Sequence, residues 1–175
     1  GWIALEAGVA GGADVILIPE MPYRLESVCD KIAERTDSGK KFSIVVAAEG
    51  ARPEGGDMVV QKLVPESHDP IRLGGVGNKL AEDIEQATGK ETRVTVLGHL
   101  QRGGSPTAFD RILSTRYGVA AVRAVNNGRF GTMVSLQAGN VTTVSLEEAI
   151  GELRKVPIDY DLVIAGKAVG VSFGD

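Results

Sequence analysis

The chain has 175 residues, 43% of them hydrophobic and 24% charged, which suits one ordinary domain or two small ones sharing a core and excludes a disordered chain. Its 23 glycines, about 13% against a typical share of about 7%, follow no G-X-Y period and no Gly/Ser run, so collagen and flexible linker are excluded. A net charge of −4 excludes a nucleic-acid protein held by a general basic field, but leaves room for a local anion site.

Residues 2 to 13 read as a helix rich in small residues, with Gly8 and Gly12 four apart for close approach of another element. Asp14 to Pro19 (DVILIP) is almost wholly apolar, the pattern of a strand covered on both faces. Leu25, Val28 and Ile32 follow at helical spacing, with Gly39 beyond. Phe42 to Ala48 (FSIVVAA) is a second buried-type strand, stopping at Glu49-Gly50. Residues 50 to 74 hold Pro53, Gly55, Gly56, Pro65 and Pro70, and read as a loop or hairpin excursion with a short strand from Met58 to Val64. Val76, Leu80, Ile84 and Ala87 form a helical stripe closed by Gly89.

Thr92 to Leu97 is predicted as a third strand, ending in Gly98-His99. Ser105 followed by Pro106 predicts a helix start, a capping hydroxyl before a residue that lacks an N–H. Phe109, Leu113, Tyr117, Ala120 and Ala124 carry that helix's apolar face, and Asn127-Gly128 ends it. Thr132 to Leu136 is another strand. Ser145 and Glu148 make a capping box ahead of Ile150 and Leu153. The alternation predicts a three-layer α/β fold, Rossmann-like, with a mainly parallel sheet. In such sheets ligands gather at the carboxyl ends of strands.

Two features stand at those ends. The first is RVTVLGHLQRGG, Arg93 to Gly104. Arg102 supplies a planar, permanently charged fork that matches a phosphate, and His99 adds a second donor. Adjacent glycines let backbone N–H groups approach an anion, and the following helix start adds partial positive charge. Histidine and arginine in a loop are often only surface decoration; the strand end, Gly-Gly and helix start are what point to an anion site. Arg93 lies on the strand itself, which leaves its direction open, a subunit interface included. The second feature is Glu49, either a solvated strand-end charge or an acceptor for ligand hydroxyls. Lys40 and Lys41 are either solvated lysines or a second anion site. Asp14 reads as a cap or turn residue, and His68 as exposed within the excursion.

GGVGNK at 74 to 79 lacks P-loop spacing, and no G-x-G-x-x-G lies between a strand and a helix. No H-x-E or H-E-x-x-H metal motif is present, and no Ser–His–Asp arrangement can be read. The single cysteine, Cys29, rules out an internal disulfide and a cysteine metal cluster, in keeping with a cytoplasmic location. No apolar run approaches the ~18 residues of a membrane span, and no signal peptide is visible at Gly1. The residues alone therefore describe an α/β module for a phosphorylated, hydroxyl-rich ligand, opening on an apolar pattern as part of something longer.

TVLGHLQRGGSPTAFDR, residues 95 to 111, closely resembles the signature segment of 6-phosphofructokinases. The resemblance continues through GWIALEAGVAGGADVILIPE (1 to 20) and IVVAAEGA (44 to 51), and the chain is similar to the C-terminal half of a bacterial-type enzyme. It implies a fructose 6-phosphate-binding domain over 1 to 100 plus about 154 to 175. The segment from about 101 to 153 would belong to the donor-binding domain. Glu49 would accept hydrogen bonds from fructose hydroxyls. His99 and Arg102 would hold the 6-phosphate, and Arg93 would reach the same phosphate in a neighbouring subunit of a homodimer or homotetramer. Asp14, Lys40 and Lys41 match the bacterial effector site for ADP or phosphoenolpyruvate, with Asp14 standing where well-studied members carry glutamate. The family's Met-Gly-Arg, donor loop, catalytic base and magnesium-binding aspartate would lie upstream, so the 175 residues alone are expected to be inactive. The donor, ATP or pyrophosphate, is left open, because the long excursion resembles a subgroup that contains both. A non-catalytic sugar-phosphate sensor and a structural subunit are the alternatives from other classes.

Overall fold

The computed structural model describes residues 1–58, 60–63, 71–73 and 75–175, with side chains left undescribed between 59 and 74. His68 therefore lies outside the described residues. The chain divides into two compact units: Gly1–Val96 with Lys155–Asp175, and Leu97–Arg154.

The first unit is built around two short parallel strands, β1 (Val15–Leu17) and β2 (Val45–Ala47), paired Val15 to Val45, Ile16 to Val46 and Leu17 to Ala47. The chain's end flanks the other edge of β1: Ile16 N donates to Ser172 O at 2.9 Å, and Ser172 N to Asp14 O at 2.9 Å. Successive side chains leave a strand on opposite faces, and each face meets helices. Val15, Leu17, Val45 and Ala47 pack with Val28 and Ile32 of α2 (Leu25–Asp37) and with Val76, Leu80 and Ile84 of α3 (Val76–Thr88). Ile16, Ile18, Val46 and Ala48 pack with Ala4 and Leu5 of α1 (Trp2–Ala10) and with Val163 of α6 (Asp161–Ala168), closed by Phe173. This is a three-layer α/β arrangement, and it explains why both strand sequences are apolar without alternation.

Gly8 is required by that packing: a Cβ there would stand 2.6 Å from Cδ1 of Ile16. Gly12 has no such neighbour and instead turns the chain with φ of 70°. The excursion carries an antiparallel pair, β3 (Val60–Leu63) with β4 (Ile71–Leu73), as a hairpin. Thr92 to Leu97, predicted as a strand, forms no strand and joins none among the described residues, and Leu97 has a helical backbone with φ of −66° and ψ of −37°. Val96 and Leu97 are 76% and 51% exposed. An apolar run becomes a strand only where a neighbour takes its backbone groups, and none of the described strands does.

In the second unit, α4 (Ala108–Asn126) packs on an antiparallel hairpin of β5 (Thr132–Gln137) and β6 (Asn140–Ser145), followed by the short α5 (Leu146–Ile150). The expected stripe holds except at its start: Leu113, Tyr117, Ala120 and Ala124 are the less exposed residues, whereas Phe109 is 65% exposed. The helix starts later than Ser105-Pro106 predicts. Thr107 is the cap, because Asp110 three residues on completes a reciprocal box with it that Ser105 has no partner to form. The Ser145–Glu148 box is formed as read, with Glu148 N donating to Ser145 Oγ at 3.0 Å.

Candidate functional site

Glu49 is exposed on the turn directly after β2, at the carboxyl edge of the parallel pair. Both sides of that turn are anchored. Ala48 N donates to Leu17 O at 2.9 Å, and Ala51 N returns to Ala48 O at 2.9 Å, with Ala51 fully buried. The backbone is thus fixed while the carboxylate faces solvent, free to accept hydrogen bonds from a ligand.

Arg93 lies in the same unit on the segment after α3, 86% exposed, its Nε 2.9 Å from Glu91 Oε1. An ion pair so exposed contributes roughly 0–1 kcal/mol and is readily exchanged for a better anion.

In the second unit, His99 and Arg102 share one 3₁₀ turn, Gly98–Arg102, with no buried residue in it. The turn is closed by Leu100 N to Leu97 O at 2.9 Å and Gly103 N to Leu100 O at 3.1 Å. Gly98 and Gly104 frame it with φ of 50° and 98°, a conformation that a side chain would resist. The turn sets an imidazole and a guanidinium three residues apart, and neither side chain has an intramolecular hydrogen bond among the described residues, so both keep donors to offer to an anion. Just beyond it, the Thr107 hydroxyl and backbone N–H donate to Asp110, and these bonds, the side-chain one first, hold its carboxyl below the ordinary range.

Asp14 is not simply a cap. Its side chain is 9% exposed, with Oδ1 2.8 Å from Arg35 Nη1 and Oδ2 accepting from Ile44 N at 2.8 Å. Sequence reasoning did not single out Arg35: nothing local marks a partner 21 residues away. Lys40 and Lys41 are exposed on the turn between α2 and β2, and Lys40 N donates to Arg35 O at 3.0 Å. Among the described residues, no group of three or more His, Cys, Asp or Glu side chains could hold a metal ion. Nor is any described helix long and apolar enough to cross a membrane. An open depression of about 450 Å³ in the first unit involves Arg24, Asp30, Lys31 and Glu34, and none of the predicted site residues reaches it. Its charges largely cancel, with Lys31 already 2.9 Å from Glu34.

Parallel strands between helical layers define an α/β protein. The family model for phosphofructokinase matches residues 1–125, and the chain belongs to that family. It is 52% identical over its whole length to ATP-dependent 6-phosphofructokinase 2 of Clostridium perfringens, of which it covers 48%. It is 51% identical, over 90% of its length, to a pyrophosphate–fructose 6-phosphate 1-phosphotransferase of Amycolatopsis methanolica, covering 46% of that protein. A crystal structure of a pyrophosphate-dependent phosphofructokinase from Marinobacter aquaeolei superposes with a TM-score of 0.68 at 26% identity, over 98% of this chain and 45% of the other. The chain spans about half the length of the curated relatives it matches.

Proposed function

We propose that the full-length enzyme carrying these residues transfers a phosphoryl group from ATP or pyrophosphate to the 1-hydroxyl of fructose 6-phosphate, giving fructose 1,6-bisphosphate. The observation that carries this reading is the exposed turn holding His99 and Arg102 in a chain of the phosphofructokinase family. Both donors are named among its relatives. His99 and Arg102 bind the 6-phosphate by charge-assisted hydrogen bonds. Glu49 accepts hydrogen bonds from sugar hydroxyls. Arg93 leaves Glu91 to reach the phosphate bound by a neighbouring subunit, which makes the working enzyme a homodimer or homotetramer. Phosphoryl transfer is mostly positioning and charge stabilisation, and these residues supply the acceptor side of it.

Residues 1 to 100 plus about 154 to 175 serve as the sugar-phosphate domain in this reading, and about 101 to 153 belong with the donor-binding domain, a division that runs close to the two compact units. Magnesium assists transfer in the full-length enzyme through ligands other than the described residues. Lys40, whose N–H donates to Arg35 O, together with Lys41 and with Asp14, which pairs with Arg35, forms the place for an anionic effector. The enzyme is cytoplasmic and glycolytic, and the 175 residues alone do not turn over.

The test is an assay of the full-length enzyme for fructose 1,6-bisphosphate, with ATP and then with pyrophosphate. Turnover with one donor is expected. Binding of fructose 6-phosphate without turnover under either donor would replace the kinase by a sugar-phosphate sensor.

A further inference from the structure

The strands that carry Glu49 are only three residues long, and both are drawn from runs of apolar residues. Register in a sheet is ordinarily chosen by which residues face the core. Here a slip of two residues would keep the alternation of faces, so the apolar residues Ile44-Val45-Val46-Ala47-Ala48 do not by themselves choose between registers; only the flanking Ser43 or Glu49, drawn into the paired positions, would oppose it.

One polar device does choose. Ile44, the residue before β2, is bonded at both main-chain groups to Asp14: its N–H donates to Asp14 Oδ2 at 2.8 Å, and its carbonyl accepts from Asp14 N at 2.9 Å. The second carboxylate oxygen is held by Arg35 Nη1 at 2.8 Å, and Arg35 Nη2 donates to Phe42 O at 3.3 Å, two residues ahead of Ile44. A single ion pair therefore grips the entry of β2 at two points. Arg35 Nε is buried without a hydrogen-bond partner, a desolvation cost the arrangement keeps. Buried ion pairs are poor sources of net stability, and setting register is among their best-attested uses.

We propose that Asp14 and Arg35 are positioning residues for the sugar-phosphate site: their pair fixes β2 against β1 and so sets where Glu49 stands. This rests on the reading of Glu49 as the acceptor for sugar hydroxyls. A two-residue slip would carry Glu49 about 6.6 Å along the strand, whereas a binding constellation tolerates roughly 0.5 Å.

The experiment measures steady-state kinetics of the full-length enzyme for Arg35→Met, Arg35→Lys, Glu49→Gln and the double variant Arg35→Met/Glu49→Gln. Arg35→Met is expected to raise KM for fructose 6-phosphate about tenfold while kcat and KM for the donor stay within about threefold. Arg35→Lys, which keeps the charge but not the fork, falls between it and wild type. The double variant is no worse than Glu49→Gln alone, since both act on one contact. A role in stability alone would lower the yield of active enzyme and kcat with the sugar KM unchanged, and that result overturns the proposal. Multiplying effects in the double variant also overturn it. If Glu49→Gln itself leaves the sugar KM at the wild-type value, the reading of Glu49 fails first and takes this inference with it. Should Arg35→Met not accumulate, the neutral pair Asp14→Asn/Arg35→Gln is measured instead. The same rise is expected of it, and a wild-type sugar KM contradicts the proposal.

Discussion

Thr107 and Asp110 cap α4 reciprocally: Thr107 N donates to Asp110 Oδ2 at 2.8 Å, and Asp110 N donates to Thr107 Oγ1 at 3.2 Å. The two bonds that Thr107 donates to Asp110 Oδ2, from its hydroxyl at 2.7 Å first and then from its N–H, favour the ionised carboxylate and hold its folded pKa below the ordinary 3.8. A lowered folded pKa means that the stabilisation is present above the unfolded pKa and fades as pH falls through the folded one. Amide protection in the first turn of α4, taken relative to the intrinsic exchange rate at each pH, should therefore be highest at neutral pH and fall below about pH 3.8. Thr107→Ala should show fast exchange already at neutral pH. Equal exchange in the two proteins would mean that the box does not hold the turn.

Gly8→Ala sets two effects against each other. Alanine gains up to about 1 kcal/mol of helix propensity over glycine. The new Cβ would meet Ile16 Cδ1 at 2.6 Å and Cγ1 at 2.7 Å, against a side chain that is fully buried and cannot swing away. Overpacking of this kind costs about 1–3 kcal/mol, so a net loss is expected, read as a lower denaturant midpoint. A raised midpoint would show that propensity prevails and that α1 and β1 can part.

Ala138 and Gly139 form the two-residue turn between β5 and β6, with φ of 47° and 82°. Both central residues are left-handed, as the favoured hairpin turn requires, but alanine resists this at a cost of roughly 1–2 kcal/mol. Ala138→Asn should raise stability by about 0.5–1 kcal/mol. Thermal unfolding checks it, and an unchanged or lower midpoint would contradict the turn assignment.

That turn also shows where local sequence stops being informative. Asn-Gly or Asp-Gly would have announced a hairpin; Ala-Gly does not, and β6 went unread with it. The buried strands and the stripes of α2 and α3 were legible because burial on both faces, or on one helical face, writes itself into composition. Thr92 to Leu97 carries the same apolar signal without a pairing neighbour among the described residues, and composition cannot report that difference. Ser105 looked like the cap because the local rule for a hydroxyl before proline was met, while the stronger reciprocal pair lay two residues further on. Glu49, His99 and Arg102 stand out as candidates because charged groups close to glycines are locally visible in sequence. Arg35 was not, since its importance comes entirely from a partner distant in the chain.

The account depends most on the phosphate being held by the turn after Gly98. The direct measurement is KM for fructose 6-phosphate in the full-length enzyme with Arg102→Ala. Loss of one guanidinium–phosphate contact worth roughly 1.4 kcal/mol corresponds to a factor of ten. A rise of about tenfold or more, with KM for the donor little changed, is the predicted result. An unchanged KM for fructose 6-phosphate would contradict the assignment of this turn as the phosphate site.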